Sequence, residues 1–129
     1  MRVLLDTHTA AWAIGDAKLL GKQARVLLQA PETIVYYSAV TIFEMSLKYH
    51  AGKWFEIKPI IDDPDTAMQT LGAIELPVYS SHARLAGAFP SSHKDPFDRL
   101  LAAQAMLEQM TLLSADPLMD GFGVQRIWN

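Results

Sequence analysis

The stretch Val3–Gly15, VLLDTHTAAWAIG, changes its periodicity at a single residue. Val3, Leu4 and Leu5 are a continuous apolar run, the pattern of a strand buried on both faces. Asp6 is the first polar residue after it. From Thr7 onward, Ala10, Ala11, Trp12 and Ile14 fall at helical spacing until Gly15 stops the pattern. A buried strand that passes through one acid directly into a helix is the opening unit of an α/β domain.

The same alternation continues outward from this unit. Leu19 to Ala30 reads as a second amphipathic helix that ends before Pro31, and Thr33–Tyr37 (TIVYY) as a second strand rich in β-branched and aromatic residues. Ser38 is a good N-cap for a helix carrying Val40, Ile42, Phe43, Met45 and Leu47, with Gly52 at its C-terminal turn. Residues 53–65 read as a connector, and 65–72 as a short helix. Ile74–Val78 is a weak third strand, placed at an edge because Pro77 cannot donate to a ladder. Ser80 or Ser81 caps a helix through Ala88, and Pro96 to Met110 forms another. Thr111–Leu113 is a fourth strand, and Val124–Trp128 a final one. The expected fold is one α/β domain over residues 1–129, with a mostly parallel sheet of four to five strands flanked by helices on both faces.

Composition narrows the function classes. The chain has 129 residues, half of them hydrophobic, and a formal net charge of −3. It therefore lacks the basic footprint of a tight nucleic-acid binder. With no cysteine, disulfides and thiolate metal sites are excluded. The N-terminus reaches an acid after three apolar residues, too few for a signal-peptide core. No apolar run approaches the roughly 18 residues that span a bilayer. A soluble protein of the cytoplasm is expected.

The acids carry the chemical signal. In open parallel sheets, ligands bind outside the carboxyl ends of the strands. Asp6 leaves the first strand and Asp116 leaves the fourth, each with a hydroxyl residue beside it (Thr7, Ser114). Glu44 sits in an apolar segment on the helix that starts at the end of the second strand. A lone acid there is costly to desolvate unless something pairs with it. Lys48, four residues on, could do so. Asp95 and Asp98 open the helix that feeds the fourth strand. Asp95 before Pro96 is a natural N-cap, and Asp98, at the third helical position, gains from the helix dipole while remaining free to face outward. Local structure accounts for each acid singly. Gathered at one edge of the sheet, they would repel one another unless a cation sat among them. With no cysteine and no paired histidines, such a site favours Mg²⁺, or Mn²⁺, over zinc.

Five segments carry a resemblance to a known family: LLDTHTAAWAI (4–14), SAVTIFEMSLKYHAGK (38–53), LPVYSSHA (76–83), HKDPFDRLLAAQA (93–105) and LLSADPLMDGFGV (112–124). In order and spacing the chain resembles PIN-domain nucleases, specifically VapC-like toxins of type II toxin–antitoxin pairs. The resemblance implies a PIN-like fold and a metal-dependent endoribonuclease with an acidic quartet on Asp6, Glu44, Asp98 and Asp116. Asp6, Asp98 and Asp116 would hold the ion, Glu44 would handle the attacking water, and Asp95 is an additional acid of the DPFD pattern. It also implies an RNA substrate, a small cognate antitoxin and a homodimer. Ser114 stands where the family usually has Thr, which keeps the hydroxyl.

Other residues are secondary candidates. His8 and His93 could touch a phosphate. Arg99 and Lys48 could balance the acids or contact RNA. Trp12, Trp54 and Trp128 could stack bases, although core packing or a dimer or antitoxin contact suits each of them better, and Trp54 is the first place to look for a partner surface. An aspartyl-phosphate phosphatase would need a second Asp two residues after Asp6, where His8 stands. A catalytically silent PIN-like module that only binds RNA or protein is the remaining alternative.

Overall fold

The computed structural model describes residues 1–129. Five strands form one sheet in the order β3-β2-β1-β4-β5, with every neighbouring pair parallel. They are β1 (Arg2–Leu5), β2 (Ile34–Ser38), β3 (Ile74–Leu76), β4 (Thr111–Leu113) and β5 (Arg126–Ile127). The helices are α1 (Thr7–Gly15), α2 (Lys22–Gln29), α3 (Ala39–His50), α4 (Lys58–Asp62), α5 (Pro64–Gln69), α6 (Ser80–Ala88) and α7 (Pro96–Leu107). Short 3₁₀ turns lie at 17–19, 55–57 and 117–122. None of the helices is long and apolar enough to cross a membrane.

The continuous apolar run of β1 follows from its central position. Leu4 pairs in register with Tyr36 and Leu112, and Leu5 with Tyr37 and Leu113. Leu4 and Leu112 point into one core with residues of α6 and α7 and with Met119 and Phe122. Val3, Leu5 and Leu113 point into the other, with Ala10 and Ala11 of α1, Ala24 of α2, Ile57, Ile60 and Met68. Each fully buried leucine contributes about 1.5–3 kcal/mol, so the sheet needs apolar residues at successive positions. Helix α3 serves both sides, giving Val40 to the first core and Met45 to the second.

Several elements differ from the sequence reading. The segment expected to be helical from Leu19 is a 3₁₀ turn, and α2 begins only at Lys22. The reason is Gly21, where a Cβ would lie 2.4 Å from the Trp128 carbonyl oxygen. The C-terminal strand packs on that glycine, and the Ala24 amide donates to the same carbonyl at 3.0 Å. The connector at 53–65 contains a 3₁₀ turn and α4, and Ile57 of the turn and Ile60 of α4 are both buried. Helix α6 is capped from Tyr79 rather than by a serine, the Tyr79 amide donating to His82 Nδ1 at 3.0 Å. Helix α7 stops at Leu107, not Met110, because Gln109 adopts a left-handed φ of 57°. The Met110 amide then donates to Ala105 O and the Gln109 amide to Met106 O, a Schellman closure without glycine.

A buried polar link joins the sheet to two helices. Ser38 Oγ accepts from the Val40 amide at 3.0 Å and donates to Gln104 Oε1 at 2.6 Å. Gln104 Nε2 donates to the Pro77 carbonyl at 3.1 Å. Both side chains are fully buried. Ser38→Ala removes a helix cap and orphans the Gln104 carbonyl; it should lower unfolding free energy in urea by about 2–4 kcal/mol, and a loss below about 0.5 kcal/mol would show that the link is not stabilising.

Candidate metal centre

Strand order reverses at β1, which has β2 on one side and β4 on the other. The crevice outside the carboxyl ends of β1 and β4 is therefore the topological switch point of the sheet. The Asp6 amide donates to Leu113 O at 3.1 Å, and Thr9 Oγ1 donates to the same carbonyl at 2.9 Å. These bonds tie the start of α1 to the exit of β4. Asp6 is also the N-cap of α1, its Oδ1 accepting from the Thr9 amide at 2.9 Å.

Asp116 leaves β4 three residues past Leu113 and caps the 3₁₀ turn that follows, accepting from the Leu118 amide at 2.9 Å. Its own amide donates to Ser114 Oγ at 3.1 Å. Asp95 is the cap of α7, with Oδ1 accepting from the amides of Phe97 and Asp98 at 2.9 and 3.2 Å. Asp98 is thereby free of capping duty, and its Oδ2 lies 2.7 Å from His93 Nε2. One donor atom from each of His93, Asp98 and Asp116 fits within a 4.8 Å span.

Glu44 is buried on α3, and each of its oxygens holds one partner. Thr7 Oγ1 donates to its Oε1 at 2.6 Å, and Lys48 pairs with its other oxygen. Thr41 Oγ1 lies 3.3 Å from the same Thr7 hydroxyl, so the first turns of α1 and α3 share one polar contact. Glu44 stays near enough to Asp98 for its charge to push the Asp98 carboxyl upward.

The expected residues thus fall into two sets. Asp98 and Asp116 come together, and His93 supplies the third donor of that group where Asp6 was expected. Asp6 sits beside Ser114, and Glu44 pairs with Lys48, so neither is in that donor group. Arg99, a candidate partner for the acids, instead spends its guanidinium on main-chain carbonyls. Nε donates to Ala86 O, Nη1 to Ser91 O and His93 O, and Nη2 to Phe89 O, at 2.6–3.3 Å. Trp54 stacks on His8 with ring centroids 4.9 Å apart, and Trp12 packs on both His8 and Trp128. Trp12 and Trp54 border a mostly apolar cavity of about 700 Å³ between α1 and residues 54–60, which Asp16 and Glu56 line but none of the five candidate acids does. Thr7 and Ser114 are the participants that sequence reasoning placed beside the acids without giving them a task.

A model of the PIN domain matches residues 3–122. The chain belongs to the PIN-domain family. Its fold is similar to that of a chain in the crystal structure of VapBC2 from Rickettsia felis bound to a promoter DNA fragment. That match has a TM-score of 0.69 at 16% identity and covers 100% of both chains. FitAcB from Neisseria gonorrhoeae matches with a TM-score of 0.64 at 20% identity, over 97% of this PIN domain chain and 96% of that one. VapBC-1 from nontypeable Haemophilus influenzae matches at 0.60 and 14%, over 98% and 97%. No curated protein matches the sequence.

Burial is the main cause that pushes the Asp6 carboxyl above the usual range, opposed by Ser114 and Thr9. Burial likewise raises Asp98, assisted by the charges of Asp95 and Glu44 and opposed by His93. The folded chain therefore keeps these protons at a pH where the unfolded chain has released them. Stability of the metal-free protein falls as pH rises from about 4, the ordinary carboxylate value, through the raised values. Asp6→Asn keeps the cap and removes the buried charge. Its Tm in EDTA should exceed that of the parent by a few degrees at pH 7, with the gap narrowing toward pH 4; a lower Tm at pH 7 would contradict this.

Proposed function

We propose that this PIN-domain protein is a divalent-metal-dependent endoribonuclease, using Mg²⁺ or Mn²⁺, and the toxin of a type II toxin–antitoxin pair in the cytoplasm. The observation that carries the reading is the convergence of Asp98, Asp116 and His93 donor atoms at the switch point, with Asp6 and Glu44 flanking them. Hard oxygen donors in an open crevice suit a divalent cation that keeps some of its waters. Asp98 and Asp116, with Asp6 directly or through water, would hold the cation, which would supply charge compensation at a phosphodiester and lower the pKa of a bound water.

The chain's own groups do the rest. Thr7 and Lys48 fix both oxygens of Glu44, leaving a carboxylate oriented to align the attacking water and take its proton. The water oxygen bonds to phosphorus as the bond to the leaving ribose oxygen breaks, and that oxygen takes a proton from solvent. Asp95 anchors the first turn of α7 and so fixes the direction of Asp98. Likeness in fold to chains of VapBC and FitAB complexes supports a small antitoxin as partner. The cavity bordered by Trp12 and Trp54, beside the exposed Phe55, is the surface best suited to receive an apolar antitoxin segment. A homodimer completes the proposed assembly.

Asp98→Asn and Glu44→Gln should each slow Mg²⁺- or Mn²⁺-stimulated cleavage of structured RNAs by about 10²- to 10⁴-fold while leaving the circular dichroism spectrum unchanged. Parent-like cleavage by either folded variant would overturn the assignment.

A further inference from the structure

The acids were expected to offer oxygen donors alone, yet the tightest donor group includes a ring nitrogen. His93 Nε2 lies 2.7 Å from Asp98 Oδ2, and a ring nitrogen of His93 falls within the 4.8 Å span that also holds an oxygen each of Asp98 and Asp116. Two neighbouring donors on one six-coordinate ion, with bonds of about 2.1 Å, sit about 3 Å apart. The nitrogen and the carboxylate oxygen already stand close to that separation.

The position of His93 is built by its surroundings. Its amide donates to Ser91 Oγ at 3.1 Å, and its carbonyl accepts from Arg99 Nη1 at 2.8 Å. The ring meets Phe122 edge-on, with centroids 5.4 Å apart. Arg99 also grips the carbonyls of Ala86, Phe89 and Ser91, so the loop that presents His93 is fastened along its length to α7, the helix that carries Asp98. A histidine needed only to pair with Asp98 could approach it from any side. This one approaches from the side that Asp116 shares.

We propose that His93 is a nitrogen ligand of the metal centre, which makes the site a mixed nitrogen–oxygen one that prefers Mn²⁺ to Mg²⁺. The inference rests on the metal-dependent reading above and specifies its donor set. Imidazole favours the later divalent ions, whereas Mg²⁺ favours oxygen and retains its water. Arg99 acts as a positioning residue that keeps the ring in place.

Two measurements on the full chain test it, neither of them an activity assay. In calorimetric titrations, Mn²⁺ should bind at least tenfold more tightly than Mg²⁺. His93→Asn should weaken Mn²⁺ binding by about 10- to 100-fold and Mg²⁺ binding by less. In pulsed electron paramagnetic resonance of the Mn²⁺-loaded protein, the echo should show nitrogen-14 modulation from a bound imidazole. That modulation should vanish in His93→Asn and in His93→Gln and persist in His8→Asn. Absence of modulation in the parent, or its loss in His8→Asn alone, overturns the nitrogen ligand. If Asp98→Asn abolishes Mn²⁺ binding and His93→Asn leaves it unchanged, the inference falls while the metal-dependent reading stands. If the parent binds neither ion, both fall.

Discussion

The constraint on which the site depends is like-charge crowding. Asp6, Glu44, Asp95, Asp98 and Asp116 are delivered to one rim of the sheet, and the chain supplies little positive charge to match them. Lys48 pairs with Glu44 and the His93 ring meets Asp98. Arg99 is committed to four carbonyls, and the Arg126 fork closes on Asp120 although Arg126 is near enough to feel Asp116. Burial holds the Asp6 and Asp98 carboxyls above the usual range, with the charges of Asp95 and Glu44 adding to it at Asp98. A fold that turns its arginines away from its acids leaves that imbalance for an external cation.

The imbalance persists because the structure around it is stiff. The cores on both faces of β1 and β4 fix the strands, and the Asp6 and Thr9 bonds to Leu113 O fix the first turn of α1 against the exit of β4. Capping divides the labour among the acids. Asp6, Asp95 and Asp116 each give one oxygen to their own backbone, while Asp98 gives none and points at His93. Helix starts thus serve twice, ending the strand-to-helix turns and aiming carboxylates into the crevice.

Much of this was legible in the sequence because local rules and global topology agree. The run Val3-Leu4-Leu5 is apolar for the same reason that it is central, and Asp95-Pro96 announces the start of α7. The division between Asp95 as cap and Asp98 as the freer acid also follows from position alone. What was not legible depends on contacts distant in sequence. Gly21 shortens α2 only because Trp128 lies on it. Gln109 ends α7 in a conformation that normally signals glycine, so no residue type marks the stop. α4 and the 3₁₀ turn before it hide among prolines and acids, their one signal the spacing of Ile57 and Ile60. Arg99 read as a counter-charge because nothing local shows that four carbonyls, one at the end of α6 and three in the loop after it, will converge on it. His93 read only as a phosphate contact for the same reason, since its place beside the acids comes from Asp98 and Asp116 together.

The central claim is that sheet topology gathers these carboxylates to hold one divalent cation at the switch point between β1 and β4. A crystal of the protein soaked in Mn²⁺, with anomalous diffraction recorded near the manganese edge, tests it most directly. The account predicts an anomalous peak in the crevice within bonding distance of Asp98 and Asp116. Clear density for those side chains with no peak there, or with the carboxylates closed into separate ion pairs, would contradict it.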